Sequence, residues 1–425
     1  MFTVLYPLSV RAYALLMRLA AFFHPKARQW VNGRKNLLPR LISDLPSLVQ
    51  GRPIAWFHAA SLGEFEQGRP VMEAFRARYP DYFIFLTFFS PSGYEVRKNY
   101  AGADFVTYLP IDTPGNARRL VGLLRPRVAF FIKYEFWYNY LRELRLSGAV
   151  ILSFSAIFRP DQLFFKSYGR FYTELLRYFD HILVQNDESA RLLGSIGISS
   201  VTVAGDTRFD RVRQIADAAR DLPEIAAFVR NEPCLIVGSA WEADRMVITP
   251  ALNNLKRPLK AIIAPHEIHE TELARWEQSL AGQTLRYSAY QAAGFEINKN
   301  KAARYLLIDN IGMLSSLYRY GQVAYIGGAF GAGLHNILEA ATFGLPVIFG
   351  NKNFEKFQEA VDLIRQQGAW AVGDASDFQN KLELFLSNPS VRAESGAINR
   401  AYVQTRTGAT DDVMQRVAEL LTTKS

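Results

Sequence analysis

The sequence predicts an α/β protein made of two doubly wound, Rossmann-like domains facing a cleft. Three observations predict it. From about residue 52 onward, short apolar runs alternate with helix-length stretches. That alternation is the pattern of βαβ units and of a parallel sheet covered on both faces. A polar stretch without strands, 206–233, divides the alternation into two series. The chain of 425 residues is also long for one hydrophobic core.

The first segment, residues 2–23, is strongly apolar and near the length of a membrane span. Arg11 and Arg18 interrupt it. Seven residues apart, they fall on one helical face, and two arginines near mid-span are costly in hydrocarbon. An interfacial amphipathic helix fits better. Its arginines reach headgroups while Leu15, Leu16, Leu19, Phe22 and Phe23 enter the acyl boundary. A cleaved signal peptide fits less well, because arginine breaks the apolar core and no small-x-small site follows. Packing on its own domain is the plain structural alternative. The basic segment 24–40, with Arg28, Arg34, Lys35 and Arg40, suits anionic lipid. Residues 1–35 are therefore expected to form a membrane-associated helix and basic segment.

Strand-like runs follow at 54–57, 82–88, 105–109, 128–132, 150–154, 181–184 and 201–203. Helix-like stretches lie between them, among them 66–78, 139–146 and 164–178. Past the polar divider, strands are expected at 234–237, 260–264, 285–287, 304–308, 323–326, 346–348 and 369–372. The expected domains are 36–215 and 216–410, with a last helix in 411–425 able to cross back to the first.

Composition narrows the partners. Apolar residues are 49% and charged residues 21%, an ordinary globular balance. The one cysteine, Cys234, excludes an intramolecular disulfide and a cysteine metal cluster. A net charge of +9 favours an anionic partner: nucleic acid, a membrane surface or a phosphorylated substrate. No zinc-finger spacing, aromatic RNA-binding motif or basic heptad is present, so nucleic acid is not expected.

The candidate chemistry sits at strand ends. Ile54–Phe57 runs into the small-residue turn His58-Ala-Ala-Ser-Leu-Gly63, and a helix then starts with Glu64 in its first turn. Small residues admit a ligand, and the helix start turns bare amides toward it. Glu64 can serve there as an acid–base group, or it can only complement the helix dipole. Lys133-Tyr-Glu135 ends another strand; Glu135 either pairs with Lys133 or lines the same cleft. Arg208, in Gly205-Asp-Thr-Arg-Phe-Asp210, is either a phosphate ligand or a surface ion pair.

In the second series, strand 323–326 leads into Gly327-Gly-Ala-Phe-Gly-Ala-Gly-Leu-His-Asn-Ile-Leu-Glu339. Glycines permit close approach of the main chain to a phosphate. Asn336 can cap the next helix, and Glu339 one turn on can accept from ribose hydroxyls. The order is not the dinucleotide fingerprint. Pro265-His266-Glu-Ile-His269 follows another strand; its two histidines lack a third ligand, so no metal is expected.

These stretches together resemble the 3-deoxy-D-manno-octulosonic acid (Kdo) transferases that build the inner core of lipopolysaccharide. The resemblance covers nearly the whole chain. It rests on His58-Ala-Ala-Ser-Leu-Gly-Glu64, Glu135-Phe-Trp-Tyr-Asn139, Ser155-Ala156, Gly205-Asp-Thr-Arg-Phe-Asp210, Gly238-Ser239, Ile311-Gly312, Gly327-Gly328, His335-Asn-Ile-Leu-Glu339 and Pro346-Val-Ile-Phe-Gly350. It implies a GT-B glycosyltransferase fold, an inverting reaction with a CMP-Kdo donor, a lipid A precursor of the lipid IVA type as acceptor, no cofactor, and residence at the cytoplasmic face of the cell inner membrane. It also implies that Glu64 is the catalytic base and that Glu135 and Arg208 stabilise the transition state. CMP is then expected on Pro265, His266, Ile311, Gly312, Met313, Asn336, Ile337, Leu338 and Glu339. The chain departs from the family at several places. The family usually has Pro-Arg-His at Pro265-His266-Glu267, Lys at Arg208, Glu-Thr-Glu at Lys133-Tyr134-Glu135, and an acid at Met313. Two other classes compete: a nucleotide-sugar epimerase, which needs no membrane, and a non-enzymatic peripheral membrane protein, which leaves Glu64 without a task.

Overall fold

The computed structural model describes residues 2–295, 302–331 and 333–424. Ala332 of the glycine-rich stretch, Met1 and Ser425 lie outside the described residues. The chain divides into two compact units, Met1–Arg211 with Thr407–Ser425, and Val212–Arg406. The expected boundary lay at 215/216; the observed one falls inside the helix Thr207–Asp217.

Three helices precede the first strand: α1 (Phe2–Ala20), α2 (Pro25–Arg34) and α3 (Leu37–Val49). The expected basic segment is thus two packed helices. Trp30 on α2 and Leu37, Leu38, Leu41 and Leu45 on α3 are buried. Arg34 points inward rather than toward solvent. Its guanidinium donates to the carbonyls of Leu109 (2.9 Å), Phe89 (2.7 Å) and Trp30 (3.2 Å) and lies over the Trp30 ring. The two strand-end carbonyls draw it there, and that use takes Arg34 out of the set offered to lipid.

The first sheet is parallel: β1 (Ile54–Ala59), β2 (Phe83–Phe88), β3 (Phe105–Tyr108), β4 (Val128–Ile132), β5 (Val150–Ala156), β6 (His181–Val184) and β7 (Val201–Val203), in the order 3-2-1-4-5-6-7. Period-2 alternation builds its two faces. Trp56, Phe85 and Phe131 share one core with α3; Ala55, Phe57 and Phe130 share the other with α4 (Leu62–Arg78). Val413, Met414, Val417 and Leu421 of the helix Ala409–Thr423 complete that second core. Asp210 holds the start of this helix, accepting from Gly408 N at 2.6 Å and Thr410 N at 2.7 Å. The expected helix 164–178 is broken into a 3-10 turn, Leu163–Phe165, and a helix, Arg170–Leu176. Gly169 sits between them so close to the Leu163 carbonyl that no Cβ fits.

The second sheet is also parallel: β8 (Cys234–Ala240), β9 (Lys260–Pro265), β10 (Thr284–Arg286), β11 (Tyr305–Leu307), β12 (Val323–Ile326), β13 (Val347–Gly350) and β14 (Ala369–Val372), in the order 10-11-9-8-12-13-14. Each sheet reverses its winding once, between β1 and β4 and between β8 and β12. Such a reversal opens a crevice beyond the strand carboxyl ends, where doubly wound folds bind ligands.

α1 has two different faces. Tyr6 donates from its hydroxyl to Asp112 at 2.6 Å, and Ala14 is buried. Leu15, Leu16 and Leu19 are exposed, as are Phe22 and Phe23 in the turn after the helix, Phe23 at 91%. Among the described residues, no helix is long and apolar enough to cross a membrane.

Candidate active site

Glu64 and Glu135 lie at the winding reversal of the first sheet. Glu64 is on the first turn of α4, just after β1, and Glu135 follows β4. α4 can lie this deep because Gly68 packs on Ile132 of β4, where a Cβ would collide. The Glu64 carboxylate turns back and accepts from Ala60 N at 2.5 Å. Glu64 therefore ties the turn before its helix to the helix's first turn. Burial, and then the neighbouring Glu135 charge, nevertheless push its carboxyl up to about 7, against the pull of the Ala60 amide and Lys133. A carboxyl in that range is poised to accept a proton near neutral pH.

A polar relay fixes Glu135. Trp56 Nε1 donates to Thr87 Oγ1 at 2.8 Å, and Thr87 Oγ1 meets His58 Nδ1 at 2.8 Å. An indole N–H can only donate, so the Thr87 proton goes either to His58 Nδ1 or to the Phe57 carbonyl at 3.4 Å. His58 Nε2 lies 3.1 Å from Glu135 Oε2, and Trp137 Nε1 donates to that oxygen at 2.7 Å and lies 3.1 Å from His58 Nε2. His58 is fully buried, so this carboxylate is held from the protein side. Lys133, between β4 and Glu135, has φ 62°. A non-glycine residue at such a φ is uncommon, and strained backbone clusters at functional sites.

Arg208 is tethered to the same helix. Asp206 accepts from Arg208 Nε at 2.7 Å and from Gln67 Nε2 at 2.6 Å, and Gln67 stands one turn after Glu64. Ser155, at φ 51°, bonds the Thr207 hydroxyl at 2.8 Å, and that hydroxyl also donates to the Gln67 carbonyl. The structure thus brings Glu64, Glu135 and Arg208 to one end of one sheet.

The second unit repeats this logic. Asp244 is buried and accepts from Trp241 N, Gly328 N and Tyr325 Oη, each at 2.9 Å. It ties the end of β8 to the glycine turn after β12. Gly327 passes so close to the Ser239 carbonyl that no side chain fits, and Gly328 has φ 98°. Three aromatic rings stack over this turn. His266 lies 3.9 Å from Trp241 and 4.7 Å from His335, and Trp241 Nε1 donates to His335 Nε2 at 2.9 Å. Burial, then His266, lower the His335 imidazole to about 4. His335 is therefore neutral, with its proton on Nδ1.

The remaining expected donor residues fall into three groups. Asn336 and Glu339 are bonded at 3.3 Å. Ile337 and Leu338 point into the core, leaving only their backbone for a ligand. The helix begins at Leu338 rather than Asn336, whose Oδ1 accepts from Leu338 N at 3.2 Å in a tight turn. Ile311, Gly312 and Met313 follow β11, which pairs with β9, the strand that ends at Pro265. Ile311 is exposed and Gly312 has φ 97°. Among the described residues, no cluster of three or more His, Cys, Asp or Glu is arranged to hold a metal.

Sequence reasoning had named no role for Thr87, Trp137 or Trp241, nor for His58 and His335 beyond their motifs. Thr87, the one polar residue of its strand, was a usable signal. Trp241 carried none.

Residues 34–211 match the family described as 3-deoxy-D-manno-octulosonic-acid transferase (kdotransferase). A 3-deoxy-D-manno-octulosonic acid transferase of Bordetella pertussis is 28% identical over 86% of this chain and 87% of its own. One of Chlamydophila psittaci is 24% identical over 89% of this chain and 86% of its own. The fold is shared with solved UDP-N-acetylglucosamine 2-epimerases. The Neisseria meningitidis structure, bound to UDP-GlcNAc, has a TM-score of 0.61 at 12% identity over 86% of this chain and all of its own. One from Listeria monocytogenes, recorded as putative, has a TM-score of 0.57 at 10% identity over 86% of this chain and 96% of its own. Fold alone does not choose a reaction. The family match spans the unit that carries Glu64, and relatives of a single activity align through both units; the chain is thus similar to Kdo transferases along most of its length.

Proposed function

We propose that the protein moves Kdo from CMP-Kdo to a hydroxyl of a lipid A precursor of the lipid IVA type, with inversion at the anomeric carbon. The observation that carries the chemistry is Glu64, raised to about 7 beside Glu135 at the winding reversal of its sheet. The acceptor oxygen attacks the anomeric carbon, and its proton passes to the Glu64 carboxylate. The bond from that carbon to the CMP phosphate breaks, and CMP leaves with the electron pair. Positive charge grows at the sugar as this bond opens; Glu135, fixed by His58 and Trp137, is placed to oppose it. Arg208 balances the charge growing on the phosphate. The second unit holds the CMP: His266 with its aromatic stack, the backbone of 311–313 and 337–338, and Asn336 with Glu339 toward the ribose. A single-phosphate donor has less need of a divalent ion than a diphosphate donor.

The same reading places the protein at the cytoplasmic face of the inner membrane, attached through the exposed apolar face of α1 and its arginines. The deciding experiment is incubation with CMP-Kdo and a lipid A precursor. CMP release that requires the lipid, with product mass raised by Kdo, supports the proposal. An epimerase, the activity of the fold neighbours, would change a nucleotide sugar with no lipid present. Lipid-independent turnover would overturn the proposal.

A further inference from the structure

A pocket of about 410 Å³ lies in the first unit beside α1. Phe89 after β2, Ile111 and Asp112 after β3 and Trp137 after β4 line it from the strand carboxyl ends. Ser9, Val10 and Tyr13 of α1 line it from the other side, with Trp30 of α2 between. Its size is that of a small-molecule site. Its lining is mostly apolar; Ser9 and Asp112 are both engaged, the Tyr13 hydroxyl is a further polar group, and Trp30 Nε1–H is buried without a hydrogen-bond partner among the described residues. Ser9 Oγ donates to the Tyr6 carbonyl at 2.8 Å. Asp112 accepts from Tyr6 Oη at 2.6 Å, Asn139 N at 3.1 Å and Tyr140 N at 3.2 Å. The ring and aliphatic carbons of the lining suit a hydrocarbon, and Trp30 Nε1–H leaves one donor for an oxygen carried by the same ligand.

The wall of the pocket leads toward Glu135, the carboxylate beside the candidate base. Its rings touch in sequence: Tyr13 to Trp30 at 5.8 Å, Trp30 to Phe89 at 5.8 Å and Phe89 to Trp137 at 4.8 Å. Trp137 is also the residue that donates to Glu135. At the other limit, α1 carries Leu8, Leu15, Leu16 and Leu19 exposed on its outer side. One helix, about 10 Å across, thus separates an apolar outer surface from a largely apolar pocket whose wall includes Trp137, the partner of Glu135.

We propose that this pocket takes one acyl chain of the acceptor, drawn past α1 so that the acceptor hydroxyl is presented to Glu64. The proposal rests on the lipid-acceptor reading above and goes further: the protein holds a chain itself instead of leaving all of them in the bilayer. Recognition is then of chain length and presence, and the aromatic wall sets the distance from chain to reacting hydroxyl.

The test fills the pocket. Ser9→Phe places a ring at the rim from an exposed helix position, which preserves the fold; Val10→Phe fills from within, and a thermal melt of each checks folding. Two readouts are taken on the full-length protein. The first is quenching of Trp30 and Trp137 fluorescence by dibrominated stearic acid. The second is kcat/KM with an acylated acceptor relative to the deacylated one. The proposal expects quenching to be lost and the acylated-to-deacylated ratio to fall by about ten-fold or more, the worth of a few buried methylenes. Quenching that persists in both filled variants overturns the site. Quenching that is lost while the ratio holds assigns the pocket to a bilayer lipid and overturns the acceptor. Transfer with an unaltered ratio leaves the reaction standing and the pocket proposal fallen. No transfer by the wild type to any acceptor overturns the reaction, and the acceptor chain with it.

Discussion

Replacing Glu64 by Gln should make the protein more stable and less active, and the gain should depend on pH in a calculable way. The carboxyl moves from an ordinary 4.5 to about 7 on folding. Between those values the folded state binds a proton that the unfolded state has released. The stabilisation by the protonated form is therefore complete below 4.5 and is lost as pH rises through 7. That gap of about 2.5 pH units is worth at most about 3 kcal/mol; partial exposure and the Glu135 coupling bring it nearer 2 kcal/mol. Gln cannot ionise, and its Oε1 can still accept from Ala60 N, as Glu64 does. The variant should melt with the wild type at pH 4.5 and about 5 °C above it at pH 8.5. Thermal melts across that pH range are the assay. Equal melting temperatures at pH 8.5 would refute the claim that Glu64 is held under strain. Transfer should fall roughly 10²–10⁴-fold while calorimetric CMP affinity is retained. A Gln variant with near-wild-type turnover ends the assignment of Glu64 as the base.

Three further outcomes are expected. Glu135→Gln should lower the rate and move the acid limb of the kcat/KM–pH profile, centred near 7 in the wild type, down by about one pH unit, because a like charge is removed while burial remains; an unmoved limb separates the two carboxylates. Asn336→Ala and Glu339→Ala should each weaken CMP about ten-fold by calorimetry, and unchanged affinity in both would move the nucleotide elsewhere. Leu16→Asp with Phe23→Asp, both on exposed positions, should release the protein from anionic vesicles without shifting its melting temperature. Wild-type binding should itself weaken as salt rises, and wild-type protein that stays in the supernatant at low salt would sink the membrane reading.

The local pattern of the chain determined a good deal by itself. Alternating apolar strands and helical stretches are a record of period and burial, so fourteen strand positions and their parallel pairing could be read directly. Glu64 after β1 and the glycines after β12 were legible because helix starts and tight turns have residue requirements of their own. The motif set pointed to the family before any coordinates, since ordered matches do not depend on contacts.

Only the tertiary structure decided which polar groups meet. His58 reaches Thr87 across 29 positions of sequence and Glu135 across 77. Those contacts exist because β1 is flanked by both β2 and β4, an order that no local pattern encodes. The Trp241–His335 bond spans 94 positions for the same kind of reason, with β8 lying beside β12. Arg34 read as a surface charge because arginine usually is one; strand-end carbonyls and an aromatic lining, brought in from residues 89 and 109, turned it inward. α1 read as either lipid-facing or self-packed, and hydropathy could not choose between them. It packs through Tyr6 and Ala14 and exposes Leu15 and Leu16, because Asp112, 106 positions away, offers Tyr6 a partner that the sequence does not place nearby.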